Sequence, residues 1–73
     1  MFVQIQTVDG QFFASDPVEL VDTGLSPQEW DTLLESVEGL MQDWREMDYL
    51  ALEIGGRKKF FNPANILWAE LVL

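Results

Sequence analysis

The chain contains no cysteine and no histidine. Without cysteine no disulfide can staple it, and zinc-finger or thiol chemistry is excluded. Without histidine it lacks the usual general base, the residue that titrates near neutral pH and the commonest transition-metal ligand. Positive charge is also scarce: four Lys and Arg stand against thirteen Asp and Glu, a formal net charge of −9. No apolar run approaches the ~20 residues that a membrane-spanning helix needs. The opening stretch MFVQIQTVDG has neither a basic leader region nor a cleavage pattern, so no signal peptide is expected. The missing cysteines suit a reducing compartment, and the expected location is cytoplasmic.

Catalytic signatures are missing as well. No D-x-D-x-D-G loop for a divalent cation and no G-x-S-x-G elbow for a serine nucleophile occurs. The Gly55-Gly56 pair is too short for a phosphate loop, and no helix is predicted after it. A chain of 73 residues also leaves little room for a ligand pocket of the usual ~300 Å³ or more. The expectation is a protein that is not an enzyme and holds no cofactor and no metal.

What is present argues for a folded domain. Hydrophobic residues make up 48%, including five Phe, three Trp and one Tyr, which a disordered acidic tail would lack. The length corresponds to a single domain, residues 1–73. A chain this short buries only about 60–65% of its unfolded surface, so its stability is expected to be marginal.

Residues 2 to 15 read as a hairpin. FVQIQTV alternates, and Asp9-Gly10 is favoured in two-residue type I′ turns. That register puts Val3, Ile5 and Thr7 on one face with Phe12 and Ala14, and Phe2, Val8 and Phe13 on the other. DPVELVDTGL is a connection, in which VELV could add a short edge strand.

Ser26-Pro27-Gln28-Glu29 then gives the strongest local signal. A capping serine precedes a proline with a pre-set φ and a glutamate three residues after the cap. Trp30, Leu33, Leu34, Val37, Leu40, Met41, Trp44 and Met47 follow at helical steps, on an arc of about 140°. The spacing predicts a helix over about 27–47, with Asp31, Glu35, Glu38 and Glu46 on the solvated side.

Three further strands are expected. YLALEI alternates, with Leu50, Leu52 and Ile54 on one side. It turns at Gly55-Gly56, and RKKFFN returns. Asn62-Pro63 forces a bend, and ILWAELVL is the last strand. The order ββ–α–βββ predicts an α+β fold: a mainly antiparallel sheet of four to five strands with one amphipathic helix on one face. A small, partly closed β-barrel capped by the helix is the alternative.

Charge is unevenly placed. Residues 9 to 48 hold eleven of the thirteen acids and one base, Arg45, whereas Arg57, Lys58 and Lys59 form a single run. An acidic body repels nucleic acid and membrane surfaces, so direct binding to either is not expected. The basic run has two readings. It keeps register and solubility, with Lys58 opposite Glu53 in a two-residue turn or Arg57 opposite it with a one-residue bulge, or it is a fingertip for an anionic partner.

One helix covers one sheet face, and the other should be polar if solvated. Instead Phe2, Phe13, Ile66, Trp68 and Val72 are expected there, joined by Tyr49 and by Phe60 or Phe61 according to register. The expected function is a protein–protein interaction module, an accessory or regulatory protein. It would bind a protein partner, or a second copy as a homodimer, through this aromatic face. Two alternatives compete with it. One is an acidic nucleic-acid mimic or inhibitor, of phage or mobile-element type, that binds a basic protein. The other is a small structural component of a larger assembly.

Overall fold

The computed structural model describes residues 1–73. It has the α+β architecture, with five strands in antiparallel sheets and one main helix packed against them. The strands divide into two sheets that do not close into a barrel. Strands β1 (Phe2–Thr7), β2 (Phe12–Ala14) and β5 (Ile66–Val72) form one sheet in the order β2-β1-β5. Strands β3 (Leu50–Ile54) and β4 (Arg57–Phe61) form the other.

The first hairpin departs from the expected register. Ile5 pairs with Phe13 and Gln6 with Phe12, so the loop is one residue longer than a two-residue turn. A type I′ turn needs positive φ at both central residues, but here Gly10 alone has it, at 88°. The loop closes through Gly10 N–H to Thr7 O (3.0 Å) and Thr7 N–H to Gln11 O (2.9 Å). The buried Thr7 hydroxyl donates to Asp9 Oδ1 and accepts from Gln11 N–H. A shift of one residue exchanges the faces of the returning strand. Phe13 therefore joins Ile5 in the interior, and Phe12 takes the outer face.

The second hairpin has the two-residue turn. Gly55 (φ 61°) and Gly56 (φ 74°) are both left-handed, and Glu53 stands opposite Lys58. Leu50 and Leu52 are buried, with Ile54 and Phe61 packed against them.

The last strand carries an irregularity that the alternating pattern does not show. Gln6 pairs with Trp68 and Thr7 with Ile66, which leaves Leu67 as an extra residue. Ile66 is thereby turned into the core, 6% exposed, while Leu67 is 52% exposed. From Trp68 onward the alternation holds: Trp68, Glu70 and Val72 pair with Gln6, Gln4 and Phe2.

Residues 20–23 form a single helical turn, α1 (Leu20–Thr23), where an edge strand was considered, and Gly24 ends it at φ 69°. Helix α2 spans Pro27–Gln42 and begins as the sequence predicts. Ser26 Oγ accepts from Glu29 N–H (3.2 Å), Glu29 Oε1 accepts from Ser26 N–H (3.5 Å), and Pro27 occupies the first turn. It stops five residues short of the expected end. Asp43 leaves helical geometry at φ −108°, and a 3-10 turn, Trp44–Glu46, follows. Asp43 N–H bonds Leu40 O and Met47 N–H bonds Trp44 O, three residues back in each case. This tightening accompanies the turn of Trp44 into the interior, 7% exposed. Glu46 accordingly sits on the 3-10 turn and not on the acidic side of α2.

The core lies between the two sheets. Ile5, Trp44, Leu50, Leu52 and Ile66 are buried, with Val3, Phe13, Met41, Met47 and Ala69 against them. Phe13 and Phe61 meet across the gap at 5.0 Å. Helix α2 lies against β5, yet none of its residues is fully buried. Neither helix is long and apolar enough to cross a membrane.

Trp44 and Trp30 are expected to differ sharply. Trp44→Ala empties the interior and should cost about 3–5 kcal/mol, enough to unfold most of a small domain. Trp30→Ala, on the half-buried face of α2, should cost markedly less. Urea titration followed by far-UV circular dichroism measures both.

Candidate functional site

The outer face of the three-stranded sheet is built in three rows. Phe2 pairs with Val72; Gln4 lies between Ala14 and Glu70; Gln6 lies between Phe12 and Trp68. The last row is knitted together. Trp68 Nε1–H donates to Gln6 Oε1 at 2.6 Å, and the Trp68 ring meets Phe12 edge-on at 6.1 Å. Satisfying its N–H this way leaves the indole as a rigid apolar platform. Phe12 is 61% exposed beside it.

Of the residues expected on this face, Phe2, Trp68 and Val72 are brought together there, while Val8 lies beyond the end of β1 in the loop. Phe13 and Ile66 are in the interior instead, moved by the longer first loop and by the irregularity at Leu67. Phe12 belongs to the face and was assigned to the other. The signal that could have placed it is Thr7 at the loop's start, whose hydroxyl serves a three-residue loop as well as Asp9-Gly10 serves a two-residue one. The face is also less apolar than expected, because Gln4, Gln6 and Glu70 run through it.

A second aromatic pair lies on the outer side of the β3–β4 hairpin. Tyr49 and Phe60 meet at 5.3 Å, both largely exposed. The register thus selects Phe60 for the outside and Phe61 for the interior.

The basic run occupies β4 and is exposed along Arg57, Lys58 and Lys59. The turn before it is already engaged. Asp16 Oδ1 and Oδ2 accept from Gly55 N–H and Gly56 N–H, each at 2.8 Å. Two left-handed glycines present their amides on one side as a small anion-binding concavity. Asp16 occupies it from within the chain, so these amides are not free for an external anion. The Gly56 amide, and then the Gly55 amide, hold the Asp16 carboxyl below its ordinary pKa, against a small opposing effect of burial. Asp16 N–H also bonds Glu53 O at 2.7 Å, which links the two sheets.

Asp31, Glu35 and Glu38 lie exposed along α2 and Glu46 on the turn beyond it, and no three acids converge into a metal-binding group. Two open clefts exceed the volume expected for so short a chain. One, of about 490 Å³, lies among Val8, Trp44, Met47, Pro63, Ile66 and Leu67. The other, of about 460 Å³, lies among Val8, Gln11, Phe13, Phe60, Phe61 and Asn62. Arg45 stacks over Trp44 at 5.0 Å at the rim of the first.

Set against protein-family models, curated proteins and solved structures, the chain finds no match.

Asp16 ties stability to pH with a definite sign. Its carboxyl binds protons more weakly folded than unfolded, so the unfolded chain takes up more. The contribution is complete above the unfolded carboxyl's pKa, about 3.9, and is lost as pH falls through the lower folded value. Asp16→Asn should flatten the acid side of a stability-versus-pH curve while lowering stability at neutral pH. Denaturant midpoints measured from pH 2 to 7 check this.

Proposed function

We propose that this chain is a small acidic, non-enzymatic protein-interaction module that binds a protein partner through the outer face of its three-stranded sheet. Phe2, Phe12, Trp68 and Val72 supply the apolar contact, and Gln4, Gln6 and Glu70 supply polar contacts around it. An aromatic centre interleaved with hydrogen-bonding side chains is the composition that protein interfaces favour.

The observation that carries this reading is an excess of uncovered apolar surface. The chain exposes 5136 Å², where a compact monomer of its mass exposes about 4600 Å². Its radius of gyration is 12.7 Å, against about 11 Å for a compact chain of this length. Nine large hydrophobic side chains are exposed and five are buried; of the nine, Phe12 lies on this face, beside the half-buried Phe2, Trp68 and Val72. A partner that covers part of this surface lowers the free energy of the pair by removing it from water.

Affinity capture with Phe12→Ser as the comparison tests the proposal. The wild-type chain should retain a protein partner in high salt, and Phe12→Ser should weaken that retention at least tenfold without changing the circular dichroism spectrum. Retention that disappears in salt and ignores Phe12→Ser would instead select the acidic side of α2 and a basic partner.

A further inference from the structure

Four strand edges lack a neighbouring strand, those of β2, β5, β3 and β4, and they differ in kind. β2 is only three residues long, and on β3 the Glu53 carbonyl already accepts from Asp16 N–H, which leaves β4 and β5 to compare. An open edge is a template for another strand, and proteins guard such edges with lysine, proline or short length. The β4 edge is guarded in this way by Arg57, Lys58 and Lys59. The β5 edge is not. It is the longest strand, seven residues, and it carries no cation, no proline and a single charge, Glu70.

We infer that β5 is the interface with a second copy of this chain, joined edge to edge and antiparallel about a two-fold axis near Ala69. The inference rests on the reading of the chain as an interaction module and names one partner. Charge decides between the open edges. Antiparallel self-pairing of β4 about its middle residue would set Lys59 of one copy directly opposite Lys59 of the other, with Lys58 opposite Phe60 and Arg57 opposite Phe61. Pairing of β5 about Ala69 sets Glu70 opposite Trp68 and Leu67 opposite Leu71, and regular pairing ends at the irregularity beside Leu67. No like charges face each other directly, and each copy presents the same surface to the other, as a two-fold axis requires.

The result is one continuous six-stranded sheet, β2-β1-β5 followed by β5-β1-β2 of the second copy. Its outer side carries the Phe2, Phe12, Trp68 and Val72 set twice, in line. Pairing also draws the exposed Leu67 toward the partner's Leu71. The uneven charge layout fits: eleven of the thirteen acids lie in residues 9–48, outside β5. Two bodies of net charge −9 still repel, so added salt should strengthen this association. A seven-residue strand spans about 23 Å, and edge pairing alone covers less than the ~800 Å² per partner of a tight complex. Exchange between monomer and dimer is therefore expected at micromolar concentration.

Sedimentation equilibrium of the purified chain from micromolar to millimolar concentration tests the inference. A reversible species of twice the 8.4 kDa chain mass, strengthened by salt, is expected. Leu67→Glu places a second acid on each β5 and should weaken association at least tenfold. Phe60→Glu makes the same charge change on β4 and should leave it nearly unchanged. Amide exchange in β5 should slow as the protein is concentrated. A single-chain mass throughout overturns the pairing, as does equal weakening by the two variants with β5 exchange independent of concentration. If such a monomer still captures a partner through Phe12, the edge pairing alone falls. If capture and association both fail, the interaction module falls with it.

Discussion

The two sheets of this protein are joined through one residue, Asp16, by its carboxylate and its own amide. Asp16 follows the end of β2, donates its own N–H to Glu53 O in β3, and receives both amides of the Gly55-Gly56 turn. Three bonds thus tie the first hairpin's exit to the second hairpin's tip. The type I′ geometry makes this possible, because both glycines adopt φ values that side-chain-bearing residues rarely reach. With the tip held, Leu50 and Leu52 face Ile5 and Ile66, and Phe61 meets Phe13. The interior is the space that this junction defines.

That interior is small. Trp44 fills much of it, and it arrives by way of a break in the helix and a 3-10 turn. The sheets share this core without closing into a barrel, and apolar side chains remain along the outside. Charge then divides the remaining surface. The helix and its flanking loops are acidic; β4 carries the cations; the outer face of the three-stranded sheet and the β5 edge carry almost none. A partner approaching in salt water meets repulsion or attraction elsewhere and mainly apolar contact here.

Local features were legible in the sequence, and features set by distant residues were not. Ser26, Pro27 and Glu29 act on one another within a single turn, so the helix start could be read directly. The same is true of Gly55-Gly56 and of the alternation of Leu50, Leu52 and Ile54. Asp9-Gly10 was ambiguous because two loop lengths accept it, and one residue of difference exchanged Phe12 with Phe13. The extra residue at Leu67 carries no glycine to mark it; it follows from matching β5 to β1, which lies some sixty positions away. The partnership of Asp16 with Gly55 and Gly56 spans about forty residues and leaves no trace in either stretch alone. The candidate face was consequently half legible: Phe2, Trp68 and Val72 from alternation, Phe12 and the Gln6 bridge only from the folded register.

Helix α2 has a firm start, a tapered end and no fully enclosed side chain along its length. Its attachment is shallow, whereas the strands that flank the core exchange backbone bonds with one another. Its first turns are the part whose local opening costs less than global unfolding. Its last turn is anchored, because Met41 packs on the core and Trp44 just beyond the helix is buried, so fraying from Ser26 would stop where the acidic rod joins the interior.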